Sequence, residues 1–370
     1  MNSMEIDRRA LLLGTLAFVG GQANFAWAGG PRSDVAFVSA IRHGDGRFAV
    51  LLLAADGSIV REVPLSARGH DIALHRLSGR AVAFARRPGT FAVGFTIETG
   101  ATPVVFTAAS DRHFYGHGVF SHDGRLLYVS ENDIPGGRGV IGIYDVAKGY
   151  KKIGEHPSHG VGPHEIILLD DGKTLAVANG GLDTVPDFER IDINRDAMQP
   201  SLTFVDAESG VLLAKHTLPA ELKQLSIRHI AADAAGLVWF GAQWEGAQTE
   251  IPQVIGSAGT SRRVRLIEPP AAQCVDVKGY IGSVAASADR SIIAASAPKA
   301  GRVVYIDAAS GTIKATSELK DVCGIAGEPG GQFAESSGFG VIRHEVPGAE
   351  LISETQLSDV AFDNHLRRWG

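Results

Sequence analysis

The chain has 370 residues, 35 Lys+Arg against 41 Asp+Glu, a formal net charge of −6, 45% apolar residues and 21% charged ones. That balance excludes a disordered chain and lacks the basic stripe that nucleic-acid binding needs. Two cysteines exclude a disulfide scaffold or an iron–sulfur protein, while 45 glycines point to many short strands joined by tight turns.

Residues 1–28 read as an export signal. Arg8-Arg9 precedes a short apolar run through Val19, and Ala26-Trp27-Ala28 is a small-x-small cleavage site. The run is well short of the roughly 20 residues that cross a bilayer. The paired arginines resemble a twin-arginine signal, which carries folded proteins to the periplasm. The expectation is a periplasmic chain cleaved after about Ala28, with no membrane span in the mature part.

From residue 29 to 370 the sequence repeats. Ile141–Gly149, Leu202–Gly210 and Val303–Gly311 each run from an apolar strand through Asp to a Gly-terminated turn. The Asp side chain caps such a turn, and Gly takes its positive φ. Ahead of the hairpins lie apolar segments at Ala81–Ala85, Leu126–Ser130, Leu175–Ala178, Leu237–Gly241 and Ile292–Ser296. Each follows a first strand: Asp71–Leu74, Gly118–Ser121, Glu165–Leu168, Ile230–Ala232 and Val284–Ala286. Four strands per unit predict β-propeller blades. Six units start near His70, His117, His164, His229, Ser283 and Gly324. Val35–Leu65 supplies three strands and Asp359–Trp369 one, so the two ends of the chain join into a seventh blade and remove the open edge. The predicted fold is an all-β, seven-bladed propeller in one domain.

Four of the 13 histidines occupy the same register, at the start of the innermost strand: His70, His117, His164 and His229. His365 in the seventh unit is the fifth candidate, although a second alignment shifts it by three positions. Innermost strands surround the axis, so these imidazoles converge on one mouth of the channel. Converging neutral nitrogens suit a borderline transition metal such as Zn, Cu, Fe or Ni. The same register also arises from duplication of a structural histidine. Units five and six lack the His, which predicts an open sector for substrate or water. Asp71, Glu165, Arg228, Asp363 and Asn364 lie beside the histidines and are expected to support them from behind. Strand alternation would turn such neighbours away from the axis.

Other features carry less. Asp111–Tyr115 is expected at the same mouth, and the Arg42–Gly46 turn on the opposite face. The insertion Gly180–Gln199 is acidic and reads as a surface loop. Cys274 and Cys323 are placed where they either bridge or leave one thiol near the histidines. No phosphate-binding loop, haem-attachment motif or nucleophile elbow is present.

The Gly116-His117 and Gly162-Pro163-His164-Glu165 starts, the Asp123-Gly124-Arg125 and Asp171-Gly172-Lys173 turns and the terminal Phe362-Asp363-Asn364-His365-Leu366 resemble one family. It is the exported bacterial family catalogued as domain of unknown function 1513. The resemblance spans essentially all of residues 29–370. It implies a seven-bladed propeller encoded near imelysin-like iron-regulated and di-haem peroxidase-like proteins, hence a role in periplasmic iron handling beside iron-uptake or haem proteins. It supplies no catalytic residues. The leading expectation is therefore a propeller that binds iron or copper through His70, His117, His164, His229 and His365. A lactonase-like or metal-dependent enzyme at the same mouth is one alternative. A protein-interaction scaffold with structural histidines is the other.

Overall fold

The computed structural model describes residues 34–97, 101–184, 194–268, 275–349 and 351–370. Its strands form seven antiparallel four-stranded sheets. Blades 1 to 6 begin with the innermost strands Gly69–His75, Arg112–Phe120, Pro163–Leu168, Leu225–Ala232, Ser283–Ala286 and Val322–Gly327. Blade 7 pairs the C-terminal strand Val360–Arg368 with Phe37–His43, followed by Phe48–Leu53 and Ile59–Leu65. Phe37 lies opposite Arg368 and His43 opposite Val360. The ring thus closes through both ends of the chain, as the repeats predict. The export-signal segment lies outside the described residues. Among the described residues no helix is long and apolar enough to cross a membrane.

Sequence dictates the layering within each blade. Second strands such as Thr174–Asn179 and Ile292–Ala297 are buried at every position. They are sandwiched between neighbouring blades on both faces, so they read as continuous runs of small and branched apolar residues. The outermost strand Ile313–Glu318 alternates, with Lys314, Thr316 and Glu318 exposed. Charged, polar outer strands discourage pairing with another chain. The hairpin turns follow the expected chemistry. Asp145, Asp206 and Asp307 accept bonds from the backbone N–H of Lys148, Ser209 and Ser310. Gly149, Gly210 and Gly311 end those turns at φ of 65°, 73° and 74°.

The innermost strands depart from simple alternation. Pairing slips by a β-bulge between Gly69 and Ile72, Phe114 and Gly118, Pro163 and Ile166, Ile227 and His229, and Val322 and Ile325. Blade 7 slips opposite Ser39 and Ile41, and blade 5 pairs regularly. A bulge re-aims side chains. It places consecutive residues such as His70 and Asp71 both in the interior, 3% exposed each, where alternation would have parted them. The ladder also resumes beyond the bulge, so the strands of blades 2 and 4 begin at Arg112 and Leu225, well before the histidines.

The Arg42–Gly46 turn differs from expectation. The Gly44 N–H donates to the Asp359 carbonyl, 2.9 Å. The turn therefore sits at the mouth where the innermost strands start. The second strand runs back antiparallel to the first, so its far end returns to that mouth.

Candidate metal centre

The bulges bring all five candidate histidines into one cluster. Ring centroids are 4.8 Å apart for His70–His117, 4.6 Å for His117–His164, 5.0 Å for His164–His229, 4.9 Å for His229–His365 and 4.9 Å for His70–His365. None is more than 6% exposed. Two triads, His70/His117/His365 and His117/His164/His229, keep their nitrogens within 4.8 Å of one another, and His117 belongs to both. The equivalence of His365 is settled by the backbone. Ser39 Oγ donates to the His365 carbonyl as Ser130 Oγ donates to the His117 carbonyl.

The acidic neighbours act one blade onward. Asp363 of blade 7 accepts from His70 Nδ1 of blade 1, 3.0 Å. Asp71 of blade 1 accepts from His117 Nδ1 of blade 2, 2.8 Å. Glu165 of blade 3 lies 3.4 Å from His229 Nδ1 of blade 4 and accepts from the Ile230 N–H. Blade 2 has Gly118 where blades 1 and 3 have the acid, so no carboxylate backs His164 of blade 3. A carboxylate on Nδ1 fixes the tautomer and turns Nε2 inward. Several ring nitrogens are left without hydrogen-bond partners: His117 Nε2, His164 Nδ1, His229 Nε2 and His365 Nε2 are buried and make none, and His229 Nδ1 has only the long approach to Glu165.

Burial sets the protonation. It lowers His70 to about 3 and His229 to about 4, against the pull of their carboxylates. His164 and His365 are driven well below the ordinary range, chiefly by burial. The carboxylates stay ionised. Burial is the largest influence on Asp71 and Glu165 and works to raise them, but the Arg367 guanidinium and the neighbouring imidazoles together outweigh it, holding Asp71 well below its usual range and Glu165 at about 2. Neutral imidazoles backed by ionised carboxylates are the donor state that a metal requires.

Arg367 was not anticipated from sequence. Its Nε and Nη2 reach Asp71 at 2.7 and 2.6 Å, and Nη2 also reaches Glu165 at 2.6 Å. The available signal was its spacing, two residues past His365 on one strand, which puts it on the same face. Below it a cavity of about 940 Å³ runs along the far ends of the innermost strands.

Two proposed supporting residues do something else. Arg228 bonds Glu245 at 2.8 Å and Ser226 at 3.1 Å, facing the mouth and no imidazole. The Asn364 backbone N–H donates to Asp363, and its half-buried side chain lines a mouth cavity of about 630 Å³. The expected open sector is also absent. His229 and His365 meet across blades 5 and 6, and Ser283 Oγ lies 3.4 Å from His365 Nδ1. Cys323 is buried, its thiol pushed up by burial and donating to the Asp321 carbonyl, 3.1 Å. Cys274 and the centre of the acidic insertion, 185–193, lie outside the described residues. His113 bonds the Thr184 carbonyl and His159 the Gly210 carbonyl, so neither joins the cluster.

Ring closure, bulged innermost strands and a buried axial imidazole cluster define a seven-bladed β-propeller with a candidate metal centre. The chain belongs to the family described as "Protein of unknown function (DUF1513)", whose model matches residues 63–369. No curated protein matches it. Among solved structures it is similar to hydrazine synthase of Kuenenia stuttgartiensis, 15% identical, TM-score 0.62, covering 90% of this chain and 100% of that one. It is also similar to the periplasmic gluconolactonase PpgL of Pseudomonas aeruginosa, 14% identical, TM-score 0.61, covering 90% and 98%. BamB of Moraxella catarrhalis is 14% identical with a TM-score of 0.52, covering 84% and 83%. At these identities the likeness is one of fold.

Proposed function

We propose that this chain is a periplasmic metal-handling propeller that holds a transition metal, iron or copper, in its axial imidazole cluster. The observation that carries this reading is the set of partnerless buried nitrogens on His117, His164, His229 and His365. Each buried polar atom left unsatisfied costs about 1–3 kcal/mol. One cation at the shared centre would satisfy several at once. Nitrogens bound to one ion at about 2.0–2.1 Å lie at most roughly 4 Å apart. The triads span up to 4.8 Å, so they would contract by less than about 1 Å on loading. The nitrogen-rich, thiolate-free donor set suits iron or copper.

The chain's own residues perform the holding. His117 is the hub because it belongs to both triads. Asp363, Asp71 and Glu165 aim His70, His117 and His229, and Arg367 helps to keep Asp71 and Glu165 ionised. The metal supplies Lewis acidity or redox capacity when bound. The iron-related surroundings implied by the family resemblance favour handling or delivery to a periplasmic iron-uptake or haem partner.

Lactonase-like or metal-dependent turnover is the second reading, favoured by the likeness in fold to a periplasmic gluconolactonase. Burial of all five imidazoles weighs against it, since a substrate needs an open position on the ion.

Elemental analysis of the untagged protein tests the proposal. The expected result is close to one iron or copper per chain, lost in His117→Ala. A protein that stays metal-free after incubation with either metal would overturn it.

A further inference from the structure

Beside the imidazoles, the mouth carries a second cluster of charge. A cavity of about 640 Å³ is lined by Arg68, Arg86, Arg87 and Arg228. Glu245 is the single acidic residue among its described lining. Three of the four arginines have partners. Arg68 bonds Asp363 at 2.6 Å, Arg86 lies 3.7 Å from the same carboxylate, and Arg228 bonds Glu245 at 2.8 Å. Arg87 has none: no carboxylate, carbonyl or hydroxyl among the described residues bonds its half-buried guanidinium. Burial, with Arg228 close by, pushes its pKa down to about 9.

A guanidinium in a recess without an acceptor among the described residues is an open fork. Its five donors match the paired oxygens of a carboxylate or phosphate. Arg228, which lines this cavity, directly precedes His229, whose ring lies 5.0 Å from that of His164, the imidazole that no carboxylate backs because Gly118 stands in the acid's place. The positive excess of the mouth and the gap in the carboxylate series thus coincide. A cation entering the cluster would meet the net positive charge of the cavity's described arginines on that side, four against the carboxylate of Glu245.

We infer that this cavity binds a small oxyanion, a carboxylate or a phosphate, on Arg87 and Arg228, and that the anion and the axial metal bind with positive linkage. The linkage half rests on the metal reading above; the anion half stands without it. A bound anion cancels the repulsion that a cation would feel near His164. By reciprocity the metal tightens the anion by the same factor, and couplings of this kind span roughly 5- to 150-fold.

Calorimetric titration of inorganic phosphate and of citrate into the metal-free full chain tests the first half. Binding is expected for at least one of them, weakened at least about tenfold in Arg87→Met and partly restored in Arg87→Lys, which keeps the charge without the fork. Circular dichroism checks that the variants fold, and Arg228→Gln gives an independent second variant. Phosphate without citrate, or the reverse, identifies which oxyanion fits. Titration of Fe(II) or Cu(II) with and without the bound anion tests the second half, with affinity expected to rise in its presence. No binding of either anion at millimolar concentration, or binding indifferent to Arg87→Met and Arg228→Gln, would overturn the anion site. Anion binding that depends on Arg87 in a protein that takes up no metal would sink the metal reading and the linkage while leaving the anion site standing. Metal binding unaffected by the anion would end the linkage alone.

Discussion

Blades 7, 1, 2, 3 and 4 form one continuous arc that places an imidazole at the axis. Blades 5 and 6 form the remaining arc and place Ser283 and Cys323 at that register; Ser296 Oγ donates to the Cys323 carbonyl as Ser130 Oγ donates to that of His164. Both arcs close the same ring. Blade 6 even keeps the bulge without the histidine, slipping between Val322 and Ile325. The propeller therefore does not need histidine at this position, and a purely structural origin for the other five loses its main support. Gly324, at the position that Asp71 and Glu165 hold in their blades, shows why blade 6 carries no acid there. A Cβ there would lie 2.4 Å from the Leu366 nitrogen of blade 7. The two arcs divide the labour between buried imidazoles and close backbone packing.

The largest effect should come from breaking the ion pairs beneath the histidine arc. Arg367→Met leaves Asp71 and Glu165 as buried carboxylates without their counter-charge. Removing one partner of a buried pair costs about 3–5 kcal/mol, and water from the channel below argues for the lower end. Denaturant unfolding at pH 7 checks this. A loss under about 1 kcal/mol would mean the pairing is solvent-screened.

Acid should act chiefly on the histidine arc. His70 and His229 titrate near 6.5 when unfolded, but at about 3 and 4 when folded. Between those values the unfolded chain binds more protons than the folded one. Stability is therefore full above pH 6.5 and is lost as pH falls toward 4, at up to about 1.4 kcal/mol per pH unit for each such histidine. Melting of the metal-free protein from pH 7.5 to 4.5 measures the slope. His229→Asn should flatten it; an unchanged slope would show that His229 is protonated in the folded state.

Much of this architecture was legible in the sequence, for reasons that also explain what was not. The blade count followed from the Asp-to-Gly hairpins, because a tight turn needs those residue types. The five histidines followed from register, because propeller symmetry turns equal sequence position into convergence on the axis. The partnering of Asp71 with His117, or Asp363 with His70, was invisible. It depends on bulges that break alternation and on reach into the next blade, neither of which leaves a local pattern. Arg367 and the mouth arginines were missed for the same reason. Their roles come from what blades separated by up to 300 residues bring together.

In the other arc, Gly324→Ala should cost about 1–3 kcal/mol by overpacking against blade 7, whose backbone cannot retreat from the axis. Leu366 belongs to the strand that carries His365, so the damage should extend to metal uptake. A stable Gly324→Ala protein with normal uptake would show that the arcs are mechanically independent.

The smallest effect should come from Ser283→Ala. Its Oγ is the only contact by which the arc without histidines touches an imidazole nitrogen among the described residues, and at 3.4 Å to His365 Nδ1 it is a long one. Deleting a weak neutral hydrogen bond costs at most about 1 kcal/mol. Supporting partners of ligand histidines usually matter 10- to 100-fold for metal affinity, and this one should fall at or below the bottom of that range. Ser283→Ala should therefore leave the melting curve nearly unchanged and weaken metal binding by less than about tenfold, readable by competition with a chromogenic chelator. A loss as large as that of His117→Ala would mean that the aim of His365 is set from blade 5, and that the division between the two arcs is a division of residue types only. A change near zero would place the whole burden of orienting the cluster on Asp363, Asp71 and Glu165, each reaching forward by one blade.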